Sequence, residues 1–260
     1  QAILEVVRKE LLELKRKYGD ERKTKIADKL PTFTEKDLIA KEQAIITLTA
    51  KGYIKRMPLQ VYKEQQRGGK GITGTELTSG DFVQDTFTCS THDYLLFLTN
   101  KGRAFSLQAY QVPAAERYAK GKAIINLLNL KGESIETTIP VRNFDGNLIL
   151  ITKNGIIKKM SLKEFEKVRS SGIVAITLPE NDELVTARLT TDGDEIVIGT
   201  AKGIAIRFGS KDLRNVGRTA YGVTAIKLRK DDIVVGAEVL PAAKEELEKL
   251  AVLTITEKGF

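Results

Sequence analysis

Residues 148–159 read Leu-Ile-Leu-Ile-Thr-Lys-Asn-Gly-Ile-Ile-Lys-Lys, which is an apolar run, a polar turn ending in glycine, and a run of aliphatic and basic residues. Glycine accepts the positive φ that a tight turn requires, and the β-branched residues on either side favour extended backbone. The segment therefore predicts a β-hairpin that turns at Gly155.

The same pattern occurs five times along the chain. The other copies are residues 45–56, 95–105, 196–207 and 252–260, and the end of the chain cuts off the last of them. The period is about fifty residues, which lies in the range of propeller blades. We expect an all-β, propeller-like domain with one hairpin per repeat, four complete repeats and part of a fifth.

An acidic turn follows each hairpin and leads into another strand-like run. The carboxylates that recur at these turns are Asp81, Glu133, Glu183 and Asp232. Because they share the period of the hairpins, we interpret them as structural turn residues and not as catalytic acid–base pairs.

A basic loop that ends in glycine and an aliphatic residue completes each repeat. We name these loops one to four, at residues 65–72, 117–124, 167–173 and 214–223. Their glycines are Gly71, Gly121, Gly172 and Gly222, and the candidate phosphate-binding cations in loops two to four are Arg117, Lys120, Lys122, Arg169, Arg214 and Arg218. Arginine and lysine side chains reach phosphate oxygens, and glycine lets backbone N–H groups approach them. The alternative is that these are ordinary solvated surface loops.

The composition favours a basic intracellular protein. The formal charge is +8 and the isoelectric point about 9.3, which points to a polyanion or an acidic surface as partner. Cys89 is the only cysteine, so a disulfide framework is excluded and a reducing compartment is expected. No apolar run is long enough to span a membrane, so we expect a soluble, cytoplasmic protein with no membrane partner.

The N-terminal residues differ from the repeats. Ile3, Val7, Leu11, Leu14 and Tyr18 recur at steps of three and four, which predicts an amphipathic helix that ends at the following glycine. We expect residues 1–36 to hold this helix and a linker, and residues 37–260 to form the β-domain. The helix either packs on that domain or is the end of a longer coiled coil.

Catalytic chemistry has few candidates in this chain. His92 is the only histidine and is interpreted as a hairpin-loop residue, since no second imidazole or nucleophile accompanies it. The glycines near Lys70 lack the Gly-x4-Gly-Lys-Ser/Thr spacing of a nucleotide-binding loop. We therefore predict no catalytic residue, metal or cofactor in this chain.

Loop one carries a resemblance to a known family. Its segment Gln-Gln-Arg-Gly-Gly-Lys-Gly, at residues 65–71, resembles the signature box of DNA gyrase A subunits, and residues 10–15, 18–24 and 52–56 are similar to the family around it. Carried over, the box residues that would fasten DNA are Gln65, Arg67, Gly68, Gly69, Lys70 and Gly71. Gln66 stands where the family usually has arginine or lysine, so one phosphate contact is expected to be missing.

The resemblance implies a β-pinwheel, a six-bladed relative of the propeller whose neighbouring blades exchange strands. It also implies wrapping of double-stranded DNA, as the non-catalytic part of an A2B2 complex in which gyrase B drives supercoiling and other parts use ATP and Mg. Because the chain stops in the fifth repeat, either it is truncated or the ring is open. Tyr118 follows an arginine, as the family's catalytic tyrosine does, but it lies in loop two and is assigned no nucleophilic role.

Three alternatives stay open at this point. The domain could be a protein-interaction propeller that binds an acidic partner, or the C-terminal domain of the A chain of a topoisomerase IV-like enzyme. An enzyme in its own right would need a convergent pocket that the sequence does not indicate.

Overall fold

A computed structural model describes residues 2–21, 23–24, 35–61, 77, 79–243, 248–251 and 253–255 of the chain. The chain divides into two compact units, residues 1–38 and 39–260. Within the described residues, no helix combines the length and the apolar character needed to cross a membrane.

The first unit contains the predicted amphipathic helix. Helix α1 spans Ala2–Tyr18, and the short helix α2 spans Glu35–Leu38. Just after α1, Gly19 N donates to Lys15 O at 2.9 Å, and a Cβ at residue 19 would lie only 2.2 Å from that oxygen, so the position requires glycine. The apolar side chains of α1 are exposed, with Ile3 at 80% and Leu11 at 60%. The predicted helix is confirmed, and most of the predicted linker lies outside the described residues.

The second unit is built from short strands. They are β1 Gln43–Thr49, β2 Tyr53–Pro58, β3 Val83–Ser90, β4 Tyr94–Thr99, β5 Arg103–Gln108, β6 Lys122–Ala123, β7 Ile135–Val141, β8 Asn147–Thr152, β9 Ile156–Ser161, β10 Ile173–Val174, β11 Leu184–Thr190, β12 Glu195–Thr200, β13 Ala205–Gly209, β14 Val223–Thr224 and β15 Val234–Leu240.

Each complete repeat forms a hairpin and a third strand that pairs with the first strand of that hairpin. The hairpins are β1–β2, β4–β5, β8–β9 and β12–β13, and the third strands are β3, β7, β11 and β15, all antiparallel. At the third hairpin Gly155 has a φ of 80° and its amide donates to Thr152 O at 3.0 Å. The predicted hairpins are confirmed for the four complete repeats, while residues 252 and 256–260 of the fifth copy lie outside the described residues.

Neighbouring repeats exchange a strand. The sheet orders are β3-β1-β2-β6, β7-β4-β5-β10, β11-β8-β9-β14 and β15-β12-β13. The short strands β6, β10 and β14 overlap basic loops two, three and four, yet each one pairs with the hairpin of the preceding repeat. The predicted all-β pinwheel architecture is therefore confirmed, and the exchange ties each blade to the next.

The third strands of the four sheets line a shared central cavity of about 850 Å³. They are therefore the innermost strands, and the exchanged strands at the other end of each sheet are the outermost. Apolar clusters fill the spaces between neighbouring sheets. Phe97 and Phe105 lie in the cluster between the first and second sheets, and Phe165 lies in the cluster between the second and third sheets. Burial of these clusters is the main stabilising contribution to the contact between blades.

The recurrent acidic turns hold the loops beside the hairpins. In the first, third and fourth repeats a carboxylate Oδ1 accepts hydrogen bonds from a hairpin-turn amide and from the next residue's amide, and the residues are Asp81, Asp182 and Asp232. Glu133 instead accepts from the Thr99 hydroxyl at 2.6 Å and pairs with Arg103. The structural role predicted for these positions holds, but the third repeat uses Asp182, and the neighbouring Glu183 forms a surface ion pair with Lys153.

Candidate nucleic-acid interface

Three of the four basic loops lie at the outer edges of successive sheets. Loops two, three and four supply β6, β10 and β14, which are the outermost strands of the first three sheets. We call the exposed residues of these three loops the rim. Loop one, with the predicted DNA-binding residues Gln65, Arg67, Gly68, Gly69, Lys70 and Gly71, lies outside the described residues.

Loop two is fixed to the first hairpin through backbone and side chain. Before the loop begins, Arg56 N donates to Pro113 O at 3.0 Å and Ala115 N donates to Arg56 O at 3.0 Å. The ammonium of Lys55, which is only 1% exposed, donates to the carbonyl oxygens of Arg117 at 2.6 Å and Ala119 at 2.9 Å. Burial lowers the pKa of Lys55. A buried cation thus holds the backbone of a loop that carries the half-buried Arg117 and Lys120 and the exposed Lys122.

Loop four repeats this arrangement at the third hairpin. Val216 N donates to Lys159 O at 2.9 Å, and Lys158, also 1% exposed, donates to Ala175 O at 2.7 Å and to Arg218 O at 2.5 Å. Lys158 and Lys55 each lie three residues after their hairpin glycine, and Arg218 and Arg117 each lie four residues before their loop glycine. Burial lowers the pKa of Lys158 to about 8, a shift that the charge of Glu164 opposes and that of Arg218 reinforces.

Loop three is held by a different pair of side chains. The position of the buried lysine is taken by Phe105, and a Cβ on Gly172 would lie 2.6 Å from its ring. The guanidinium of Arg103 donates to Ser171 O and pairs with Glu133, which is itself fixed by Thr99. An aromatic ring and a half-buried arginine therefore take the place of the lysine at this junction.

The loop glycines are required where a loop crosses the neighbouring strand. Gly222 has a φ of 96°, and a Cβ there would lie 2.6 Å from Ile157 O. Gly121 has a φ of 88°, and a Cβ there would lie 2.6 Å from Ile54 O. The periodic glycines therefore mark the points of strand exchange, since both the positive φ and the close approach exclude a side chain.

The predicted cations of loop two are partly engaged with aromatic rings. The Arg117 guanidinium lies 4.5 Å from the Tyr118 ring centroid and donates to its hydroxyl, and Lys120 Nζ lies 3.9 Å from the Tyr53 ring centroid. These contacts orient the two cations. Lys122 is exposed.

The cations of loops three and four are mostly exposed. Arg169 and Arg214 are exposed, whereas Arg218 forms an ion pair with Glu164 at 3.4 Å. Charge complementarity with a polyanion is therefore strongest at Arg169 and Arg214 and is reduced at Arg218. Of the six predicted cations, Lys122, Arg169 and Arg214 are exposed and lie on the rim, whereas Arg117, Lys120 and Arg218 are half-buried.

Sequence reasoning did not identify Lys55, Lys158 and Arg103 as the residues on which the loops depend. Basic residues in a strand suggest a solvated face, and Lys55 and Lys158 are followed by another basic residue, which strengthens that impression. Their recurrence at the same distance from the hairpin glycine was the available signal. Only the strand exchange shows that this strand is covered by the next repeat.

Residues with reactive potential show structural roles in the described part of the chain. His92 lies in the turn between β3 and β4, and its Nε2 is 2.9 Å from Ile39 O. Burial, and to a lesser degree the charge of Asp93, raises the pKa of the Cys89 thiol to about 11, while Arg56 opposes the shift. The described residues contain no group of three His, Cys, Asp or Glu side chains that could hold a metal ion.

Comparison with known proteins yields one family. The family described as DNA gyrase C-terminal domain, beta-propeller, matches residues 43–90, 93–142, 146–191 and 194–241, each of which contains one hairpin and its third strand. The DNA gyrase A protein of Staphylococcus epidermidis is 44% identical over 265 residues, which cover 100% of this chain and 29% of that protein. The DNA gyrase A protein of Halalkalibacterium halodurans is 47% identical over 229 residues, which cover 87% of this chain and 28% of that protein. The chain therefore spans less than a third of the length of these relatives.

Solved structures show the same architecture. The structure of a DNA gyrase A C-terminal domain matches with a TM-score of 0.62 and 30% identity, covering 75% of this chain and 64% of that one. The C-terminal domain of a DNA topoisomerase IV matches with a TM-score of 0.65 and 27% identity, covering 78% of this chain and 62% of that one. The folds of the two groups are alike, and the sequence relatives favour the gyrase group.

Proposed function

Because the chain belongs to the family of DNA gyrase C-terminal domains, we propose that it binds double-stranded DNA without regard to base sequence and wraps it around the rim. The observation that carries this proposal is the strand exchange, since it places loops two, three and four at the outer edges of three successive sheets. Loop one, with Gln65, Arg67, Gly68, Gly69, Lys70 and Gly71, belongs to the same periodic series and would fasten the duplex.

The geometry of the rim suits a bent duplex. Duplex DNA has a persistence length of about 150 base pairs, and bending a short site by 40–90° costs on the order of 1–6 kcal/mol. Cationic contacts repeated at even intervals along an arc offset that cost at each step, whereas a single basic patch would hold only a straight segment. Lys122, Arg169 and Arg214, on successive loops, are exposed and would be the contacts of the duplex.

The rim is suited to phosphate and not to base edges. Its cations lie on loops, and no described helix of the second unit is long enough to enter a major groove. Backbone contacts of this kind position a duplex without reading its sequence. We therefore expect equal affinity for duplexes of unrelated sequence.

The role in the whole protein follows from the relatives. The chain would act as the non-catalytic, DNA-wrapping part of gyrase A in an A2B2 complex with gyrase B, in the cytoplasm and associated with the nucleoid. ATP and Mg would be used by other parts of that complex, and this chain would need no cofactor of its own.

Salt titration of binding to two duplexes of unrelated sequence tests the proposal. Neutralising several phosphates makes log K fall linearly with log salt, with a slope of about −0.9 per phosphate. A slope of several units that is the same for both duplexes supports DNA binding by the rim. A flat response would reject the proposal and favour the protein-interaction alternative.

A further inference from the structure

The buried lysines Lys55 and Lys158 form equivalent contacts at two blade junctions. Each donates from Nζ to the carbonyl oxygen of the arginine four residues before the glycine of a loop in the next repeat, Arg117 in one case and Arg218 in the other. Each also donates to a second carbonyl oxygen, but these differ: Ala119 lies in the same loop as Arg117, whereas Ala175 follows loop three in the repeat of Lys158 itself. The contact to the loop arginine is therefore the part that recurs, and its recurrence in segments that differ in sequence indicates a defined role.

Neither ammonium is available to a ligand. Both lysines are 1% exposed, so their charges cannot contact a phosphate from outside. Burying an ammonium is costly unless it is hydrogen-bonded, and carbonyl oxygens can satisfy it without forming an ion pair. A hydrophobic side chain would fill the same space at a lower desolvation cost. The benefit of the charge must therefore lie in what it holds, which is the backbone of a rim loop.

We propose that Lys55 and Lys158 are positioning residues that fix the course of loops two and four, so that the cations of those loops stay on the outer edge of the pinwheel. This role rests on the proposed function, because it matters only if the rim binds DNA. The charged donor is suited to it, since hydrogen bonds from charged groups are stronger than those between neutral groups.

The junction to loop three shows what the lysine adds. There Phe105 occupies the lysine position and packs against Gly172, and the link to a loop carbonyl comes from Arg103 to Ser171 O instead. A cationic donor to a carbonyl of the next loop is thus retained at all three described junctions. The donor is a lysine at two of these junctions and an arginine at the third, and the acceptor is a loop carbonyl oxygen at all three.

The test compares Lys158→Met and Lys55→Met in the 260-residue chain. Methionine is unbranched and similar in length, so it fills the site and removes only the charge and its hydrogen bonds. Lys131→Met is the matched control, because Lys131 is exposed in the turn before β7 and belongs to none of the basic loops. Amide hydrogen exchange is measured for each variant, and topoisomer shifts are measured after ligase closure of nicked plasmid bound to each variant.

We expect Lys158→Met to speed exchange in loop four about tenfold and to leave loop two and the hairpin strands unchanged. Lys55→Met should speed exchange in loop two and leave loop four unchanged, so either variant suffices for the test if the other fails to fold. Both should reduce the topoisomer shift to below about half that of the unaltered chain, and Lys131→Met should leave it unchanged.

Two results would overturn the inference. Unchanged exchange in the adjacent loop would show that the lysine does not hold it, and faster exchange with a full topoisomer shift would show that loop position does not matter for wrapping. If the unaltered chain gave no topoisomer shift, both the proposed function and the role of the lysines in it would be rejected. The exchange data would then still show whether the lysine contact fixes the loop.

Discussion

Lys55 Nζ lies 2.6 Å from the carbonyl oxygen of Arg117, a residue 62 positions later in the chain and in the next repeat. This contact joins a buried cation of one blade to the backbone of a half-buried cation of the next. It illustrates how the pinwheel separates two uses of basic residues, since some hold loops from inside and others face the solvent.

Lys158 makes the stability of the protein depend on pH in a definite direction. Its pKa is about 8 in the folded protein and 10.5 ordinarily, so between those pH values the unfolded chain binds more protons. The folded state therefore gains stability relative to Lys158→Met as pH rises from about 7 to 10, by on the order of 2–3 kcal/mol. Urea unfolding of both proteins at several pH values measures this difference. A difference that stays constant or falls with pH would contradict it.

Replacing Gly222 by alanine should detach loop four. The positive φ and the 2.6 Å approach of the added Cβ to Ile157 O both oppose the substitution, and we expect a loss of about 1–3 kcal/mol in unfolding free energy. Gly217→Ala is the control in the same loop, because a Cβ there meets nothing within 4 Å. Thermal unfolding compares the two variants, and equal melting temperatures would show that the crossing point is not strained.

Arg214 should contribute a phosphate contact without sequence preference. Arg214→Ala is expected to weaken binding equally for duplexes of different sequence and to reduce the salt slope by about one unit. Arg218→Ala should have a smaller effect, because Arg218 is already paired with Glu164. Fluorescence anisotropy across a salt series measures both variants. A change confined to one duplex sequence would indicate base contacts instead.

Neutralising Arg67 and Lys70 together should reduce wrapping more than binding. The other rim cations would still hold the duplex loosely, so the apparent affinity should fall less than the topoisomer shift does. Anisotropy and plasmid closure on the same double variant separate the two quantities. Topoisomer shifts equal to those of the unaltered chain would exclude a fastening role for loop one.

The sequence predicted the repeat period, the hairpins and the loops because these features depend on local chemistry. Gly155 determines its hairpin through a turn that involves only its neighbours, and the apolar strand beside it follows from composition. The pairing of β14 with β9 could not be read in the same way, since it depends on which distant strand a two-residue segment meets. From residue patterns alone, the exchange could not be foreseen, and only the family resemblance implied it.

The sequence predicted the cations of the candidate site, but it did not predict the buried residues that hold the loops in place. Arg169 and Arg214 are basic residues in glycine-containing loops, and their exposure follows from that context. The burial of Lys158 contradicts the usual preference of lysine for solvent, and it is possible only because two carbonyl oxygens from other segments surround the ammonium. The only mark of this arrangement in the sequence is the recurrence of lysine three residues after the hairpin glycines Gly52 and Gly155.

The most direct test of the account is ligase closure of nicked plasmid in the presence of increasing amounts of the unaltered chain, followed by separation of the topoisomers. Wrapping around the rim predicts a linking-number shift of one sign that grows with the amount of bound protein and disappears at high salt. Saturated DNA binding with an unshifted topoisomer distribution would contradict the account.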